Sequence, residues 1–93
     1  MDEVNATLQE RGQQYGAFLA QAAIAQTLKR VMRECPNWPK LKSDQREALE
    51  MAAMKFSRIL NGNPDNYDSW LDAIGYLQLV ANRLKKPAEP DVE

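Results

Sequence analysis

The sequence predicts an all-α fold, and three observations carry that prediction. Ala, Leu, Met, Gln, Glu, Lys and Arg dominate the 93 residues while Val and Ile are sparse, which favours helices and leaves little to build strands from. Apolar residues recur at three- and four-residue spacing along several stretches. Prolines and glycines cluster between those stretches, where they break or turn the chain. The expected architecture is a small bundle of three long helices plus a short N-terminal helix, the last two helices forming an antiparallel pair. Residues 1–84 read as a single helical domain and residues 85–93 as a flexible C-terminal tail.

The first helix, about Asp2 to Arg11, carries Val4 and Leu8 one turn apart and is expected to stop at Gly12. So thin an apolar stripe either docks on the remainder or frays. Tyr15-Gly16-Ala17-Phe18 reads as a turn into a second helix reaching about Glu34, with Phe18, Leu19, Ala22, Ala25, Leu28 and Met32 as its stripe. Pro36 and Pro39 exclude a continuing helix, so Cys35 to Lys42 is a connection whose Trp38 and Leu41 fold back on the core. Ser43 reads as the N-cap of a third helix running to about Asn61. Gly62-Asn63-Pro64-Asp65 turns the chain, and a last helix runs from about Asp68 to Leu84, where Lys85-Lys86-Pro87 ends it.

Charge and residue inventory remove several functions. Twelve basic against thirteen acidic side chains and a pI near 5.5 argue against a general nucleic-acid-binding surface, which needs an excess of Lys and Arg. A single cysteine excludes an intrachain disulfide and a Cys-rich zinc module. The absence of histidine removes the Ser-His-Asp triad, the His-ligated metal and the imidazole base. The acidic opening Met1-Asp2-Glu3 does not resemble a signal peptide, and no apolar run approaches the roughly 18 residues of a membrane span. A soluble protein of the cytoplasm is the expectation.

At 100° per residue, Ala48, Leu49, Ala52, Ala53, Phe56, Ile59 and Leu60 of the third helix fall inward, with Glu47, Glu50, Met51, Met54, Lys55, Arg58 and Asn61 opposite. The last helix places Trp70, Ala73, Ile74, Leu77, Val80, Ala81 and Leu84 inward, with Asp68, Asp72, Gly75, Tyr76 and Leu79 elsewhere. Glu47 with Glu50 and Asp68 with Asp72 are therefore two acid pairs, each one turn long, on neighbouring helices. Such pairs can converge on a hard divalent cation, which takes oxygen ligands. They can equally be solvated carboxylates favoured by helix N-termini. Met51, Met54, Tyr76 and Leu79 lie beside those charges and away from the core, which suggests a covered interface and a homo-oligomer, dimer or larger. The other reading has the N-terminal helix covering them. Lys29, Arg30, Arg33, Lys40, Lys42 and Arg46 surround Trp38, and a core tryptophan under a cationic loop is the simpler account than a stacking site. Cys35 lacks a base partner and reads as a structural thiol.

Several strings then stand together: Glu10-Arg11-Gly12 with Tyr15-Gly16 and Phe18, Glu47-Ala48-Leu49-Glu50-Met51, Lys55 with Arg58-Ile59, Asn61-Gly62-Asn63-Pro64-Asp65, and Asp68-Ser69-Trp70 with Asp72 and Gly75-Tyr76. With them the chain, from about Glu10 to Leu84, resembles a family of small uncharacterised phage and prophage proteins. More distantly, the last two helices resemble the all-α NTP pyrophosphatases of the MazG and dUTPase type, whose motif is Glu-x-x-Glu on one helix and Glu-x-x-Asp on the next. That resemblance implies magnesium held between the two helices, cleavage of a nucleoside triphosphate to monophosphate and pyrophosphate, and assembly as dimers or tetramers. Glu47 and Glu50 match the first pair and Asp72 the terminal Asp. Asp68 stands four residues before Asp72, where the motif has a Glu three before, and there this chain departs from the pattern.

On that reading Glu47, Glu50 and Asp72 hold Mg2+, Asp68 orients the attacking water, and Lys55 and Arg58 bind the phosphates of a nucleotide. The rival is an interaction protein, encoded by a phage, that inhibits or sequesters a host-defence protein or a signalling nucleotide without catalysis. A virion or assembly component is a third reading.

Overall fold

A computed structural model describes residues 2–85 of the chain. It is all-helical: α1 spans Asp2–Tyr15, α2 Phe18–Arg33, α3 Ser43–Asn61 and α4 Tyr67–Leu84, with one 3-10 turn at Trp38–Lys40. The tail expected beyond Lys85 lies outside the described residues. No helix among the described residues is long and apolar enough to cross a membrane.

Three boundaries differ from the sequence reading, each for a local reason. α1 passes through Gly12 and ends at Tyr15; a glycine inside an exposed helix costs only about 1 kcal/mol, too little to stop one by itself. The reversal falls instead at Gly16, whose φ of 80° is left-handed and whose N–H donates to the Gly12 carbonyl at 2.9 Å. Lys42, not Ser43, is the N-cap of α3, and its N–H donates to Gln45 Oε1 at 2.8 Å. Asn66 caps α4 through Oδ1, which accepts from the Ser69 N–H at 3.0 Å, so that helix begins at Tyr67.

α3 is the central element. Asn61 at its C-terminus donates through Nδ2 to the Tyr15 and Ala17 carbonyls at 2.9 and 3.1 Å, while Glu50 nearer its start pairs with Arg33 at the far end of α2. These contacts set α2 antiparallel to α3. Lys55 to Asp72 and Asp44 to Arg83 set α4 antiparallel in the same way. The two sets lie on opposite sides of α3, so α2 and α4 flank it and hardly meet.

That arrangement decides the core. On the α4 side the buried stripe is Ala48, Ala52 and Lys55 against Ser69 and Ala73; on the α2 side it is Ala53 and Ser57 near Gln21 and Ala25. Every buried apolar residue among those described is an alanine. The expected inward placement of Leu49, Phe56, Leu60, Trp70, Ile74, Leu77 and Leu84 is corrected: all are exposed, Leu60 by 67% and Ile74 by 60%. Phe18 and Leu19 of the α2 stripe are exposed as well. Small residues let helices approach closely, so α3 makes two narrow contacts rather than one broad one. The large side chains lie between those contacts, where no element among the described residues covers them.

Candidate functional site

Two of the four acidic residues singled out from the sequence, Glu50 and Asp72, are engaged with cations. Lys55 Nζ lies 3.0 Å from Asp72 Oδ2, and Lys55 is only 8% exposed. Its expected outward position is corrected, since it lies in the contact between α3 and α4. Arg83 donates to both carboxylate oxygens of Asp44, Nε to Oδ2 and Nη2 to Oδ1, the latter at 2.8 Å. Eleven residues separate the two partners on each helix, three turns, so both pairs lie along one register of the hairpin. The Arg83 guanidinium beside Asp44 holds its carboxyl below the usual carboxylate range, and Asp44 in turn raises Arg83.

Glu50 accepts from Arg33 Nη2 at 3.2 Å. Glu47 is exposed on a groove of about 400 Å3 that it shares with Asp44, Tyr76, Leu79 and Arg83. Asp68 is exposed in the first turn of α4. Among the described residues no three His, Cys, Asp or Glu side chains come close enough to hold a metal ion. Magnesium needs several oxygens at about 2.1 Å, and Glu47, Glu50, Asp68 and Asp72 do not supply them together in one chain. Of the apolar residues expected at an interface, Leu79 is 67% exposed, while Met51, Met54 and Tyr76 are half-buried.

Arg58 occupies a different setting, which the sequence reading did not find. Its guanidinium lies over the Tyr15 ring, 4.3 Å from the centroid, and has no ion pair or side-chain hydrogen bond among the described residues. Its Nε is enclosed without an acceptor. Arg58 walls a cavity of about 450 Å3 together with Leu8, Arg11, Gly12, Tyr15, Phe18 and Gln21. Arg11 also has no acid partner among the described residues. The N-terminus of α2 opens on the same space through Gly16, Ala17 and Phe18, with no side-chain cap and no acid in its first turn. The signal present in the sequence was Arg11, Tyr15, Gly16 and Phe18 within eight positions; their meeting with Arg58 depends on the reversal at Gly16.

In the cationic middle loop, Arg46 lies 5.9 Å over the Trp38 ring and donates to the Trp38 and Pro39 carbonyls. Trp38 is half-buried and its cation is committed to holding the 3-10 turn. Cys35 is exposed, its Sγ donating to the Val31 carbonyl at 3.3 Å.

No curated protein and no solved structure matches this chain. A family model does match, over residues 1–84, and it covers all four helices. The chain belongs to that family, described as Domain of unknown function (DUF6378).

Proposed function

We propose that the chain works as an interaction protein whose functional form is an assembly with a second copy, made through α4. The observation that carries this reading is a single stripe. Tyr67, Trp70, Ile74, Leu77, Ala81 and Leu84 alternate three- and four-residue spacings, the signature of a coiled-coil seam, and all six are exposed in the lone chain. The stripe is also self-complementary. Two copies set antiparallel about an axis between Ile74 and Leu77 place Ile74 on Leu77, Tyr67 on Leu84, and the large Trp70 on the small Ala81. A core made of alanines gives an independent reason for association, since so small an apolar burial within one chain leaves much to gain from a partner.

A phage-encoded inhibitor of a host-defence component would present the same apolar stripe to a different protein. The magnesium-dependent NTP pyrophosphatase reading ranks below both, because it needs Glu50 and Asp72 released from Arg33 and Lys55. Sedimentation of the full chain against concentration tests the proposal. A dimer is expected at micromolar concentration, with Ile74→Glu shifting the equilibrium about tenfold to a hundredfold toward monomer and Leu79→Glu leaving it nearly unchanged. A wild-type chain that stays monomeric and folded at about 100 μM would remove the proposal. Release of pyrophosphate from a nucleoside triphosphate with magnesium, abolished by Glu50→Gln, would restore the enzymatic reading.

A further inference from the structure

We infer that the cavity between α1, α2 and α3 binds a phosphate group carried on a planar ring, a nucleoside monophosphate being the representative ligand. Three independent sources of positive potential meet there. Arg58 and Arg11 both line the space, and no carboxylate does. The N-terminus of α2, which has no side-chain cap, borders it at Ala17 and Phe18. The Nε of Arg58 is enclosed without an acceptor, although the residue as a whole is only half-buried. Here Arg58 is held by the face of Tyr15, 4.3 Å away, so its terminal Nη donors at the cavity wall are not committed.

The apolar part of the ligand follows from the other walls. Phe18, a residue 77% exposed, and Leu8 line the same space, and a planar base stacks on an aromatic face. The volume of about 450 Å3 lies within the range of small-molecule sites, roughly 300–1,000 Å3, and is far larger than an isolated phosphate requires. Gln21, 8% exposed, lines the same space and offers an amide for an exocyclic group of the base.

The test is calorimetric titration of the full chain at low salt with AMP, adenosine and inorganic phosphate, read in parallel by the amide shift of Gly16. Saturable binding of AMP is expected, with adenosine and phosphate each at least about tenfold weaker. Arg11→Gln, on an exposed helix position, should weaken AMP about tenfold without altering the circular dichroism spectrum. Arg58→Lys keeps the charge but loses the planar fork and should weaken it comparably. Adenosine binding as tightly as AMP, or AMP affinity unchanged in Arg11→Gln, would overturn the phosphate site, and phosphate binding as tightly as AMP would overturn the ring. Ile74→Glu lies on another face and should retain AMP binding, so failure of this site and failure of the α4 assembly are separable outcomes.

Discussion

Gly16 and Gly62 sit where the ends of α1 and α3 cross, and they are required for different reasons. Gly16 has both a left-handed φ and a backbone neighbour, the Asn61 carbonyl oxygen, 2.5 Å from where a Cβ would stand. Gly62 has no unusual φ, but a Cβ there would lie 2.3 Å from the Gln14 carbonyl oxygen and from Tyr15 Cα. Neither neighbour is a side chain that can swing away. Gly16→Ala should therefore destabilise the fold by about 2 kcal/mol or more, measured by urea unfolding, and should disturb the Arg58 cavity that Gly16 lines. Lys55 gives a second residue-scale expectation, with an asymmetry. Asp72→Asn leaves an enclosed ammonium with a weak acceptor and should cost about 1–2 kcal/mol, discounted because Asp72 is half exposed. Lys55→Met removes the charge while keeping the chain length, and should change stability by less than about 1 kcal/mol. The opposite order in urea midpoints would mean that the lysine is held by packing alone.

Element by element, the sequence was most informative where punctuation is strong. The C-terminal end of α3 at Asn61 and that of α4 at Leu84 were legible from Gly62 and from Lys85-Lys86-Pro87, because glycine and proline act locally. The start of α3 was legible to one residue, but its cap was not, because the acceptor is the Gln45 side chain three residues on. Which apolar stripe is covered was not legible. A helical wheel shows that Leu49, Phe56 and Leu60 share a face with Ala52; it does not show that neighbours press on the alanines from two sides and leave the large residues between them. The partners of the carboxylates were not legible either, since Asp72 and Glu50 find cations on the neighbouring helices. The Asp44 and Arg83 pair ties the start of α3 to the end of α4 and gives this scale a pH expectation. The carboxyl is depressed below its ordinary 3.8 in the folded chain, so its contribution is present above that value and is lost as pH falls through the lowered one. The melting difference between wild type and Arg83→Gln should be constant near pH 6 and shrink below about pH 4. A difference that instead grows on acidification would contradict the pairing.

For the whole molecule, shape and burial point the same way. The radius of gyration is 16.3 Å, with extents of 52 × 33 × 25 Å, whereas a compact domain of this length has about 12 Å. α1 buries none of its residues, and Val4 and Leu8 on it are more than half exposed. Helices of about a dozen residues are marginal in water unless packed, so the first turns of α1 should exchange their amides faster than its end at Tyr15, which Asn61 holds. Folding and association are then linked. If the α4 seam supplies much of the apolar burial, the stability of the chain carries the concentration term of a bimolecular equilibrium, about 1.4 kcal/mol for each tenfold dilution of a fully coupled dimer. A domain of this size shifts its melting point by about 4–8 °C per kcal/mol, so tenfold dilution should lower the Tm by several degrees. Ile74→Glu should abolish most of that dependence, because it places a charge at the two-fold axis where Ile74 meets Leu77. A Tm independent of concentration in the wild type, with Ile74→Glu equally stable, would show that five alanines and two helix contacts suffice for a folded monomer, and the exposed stripe would then require a different protein to cover it.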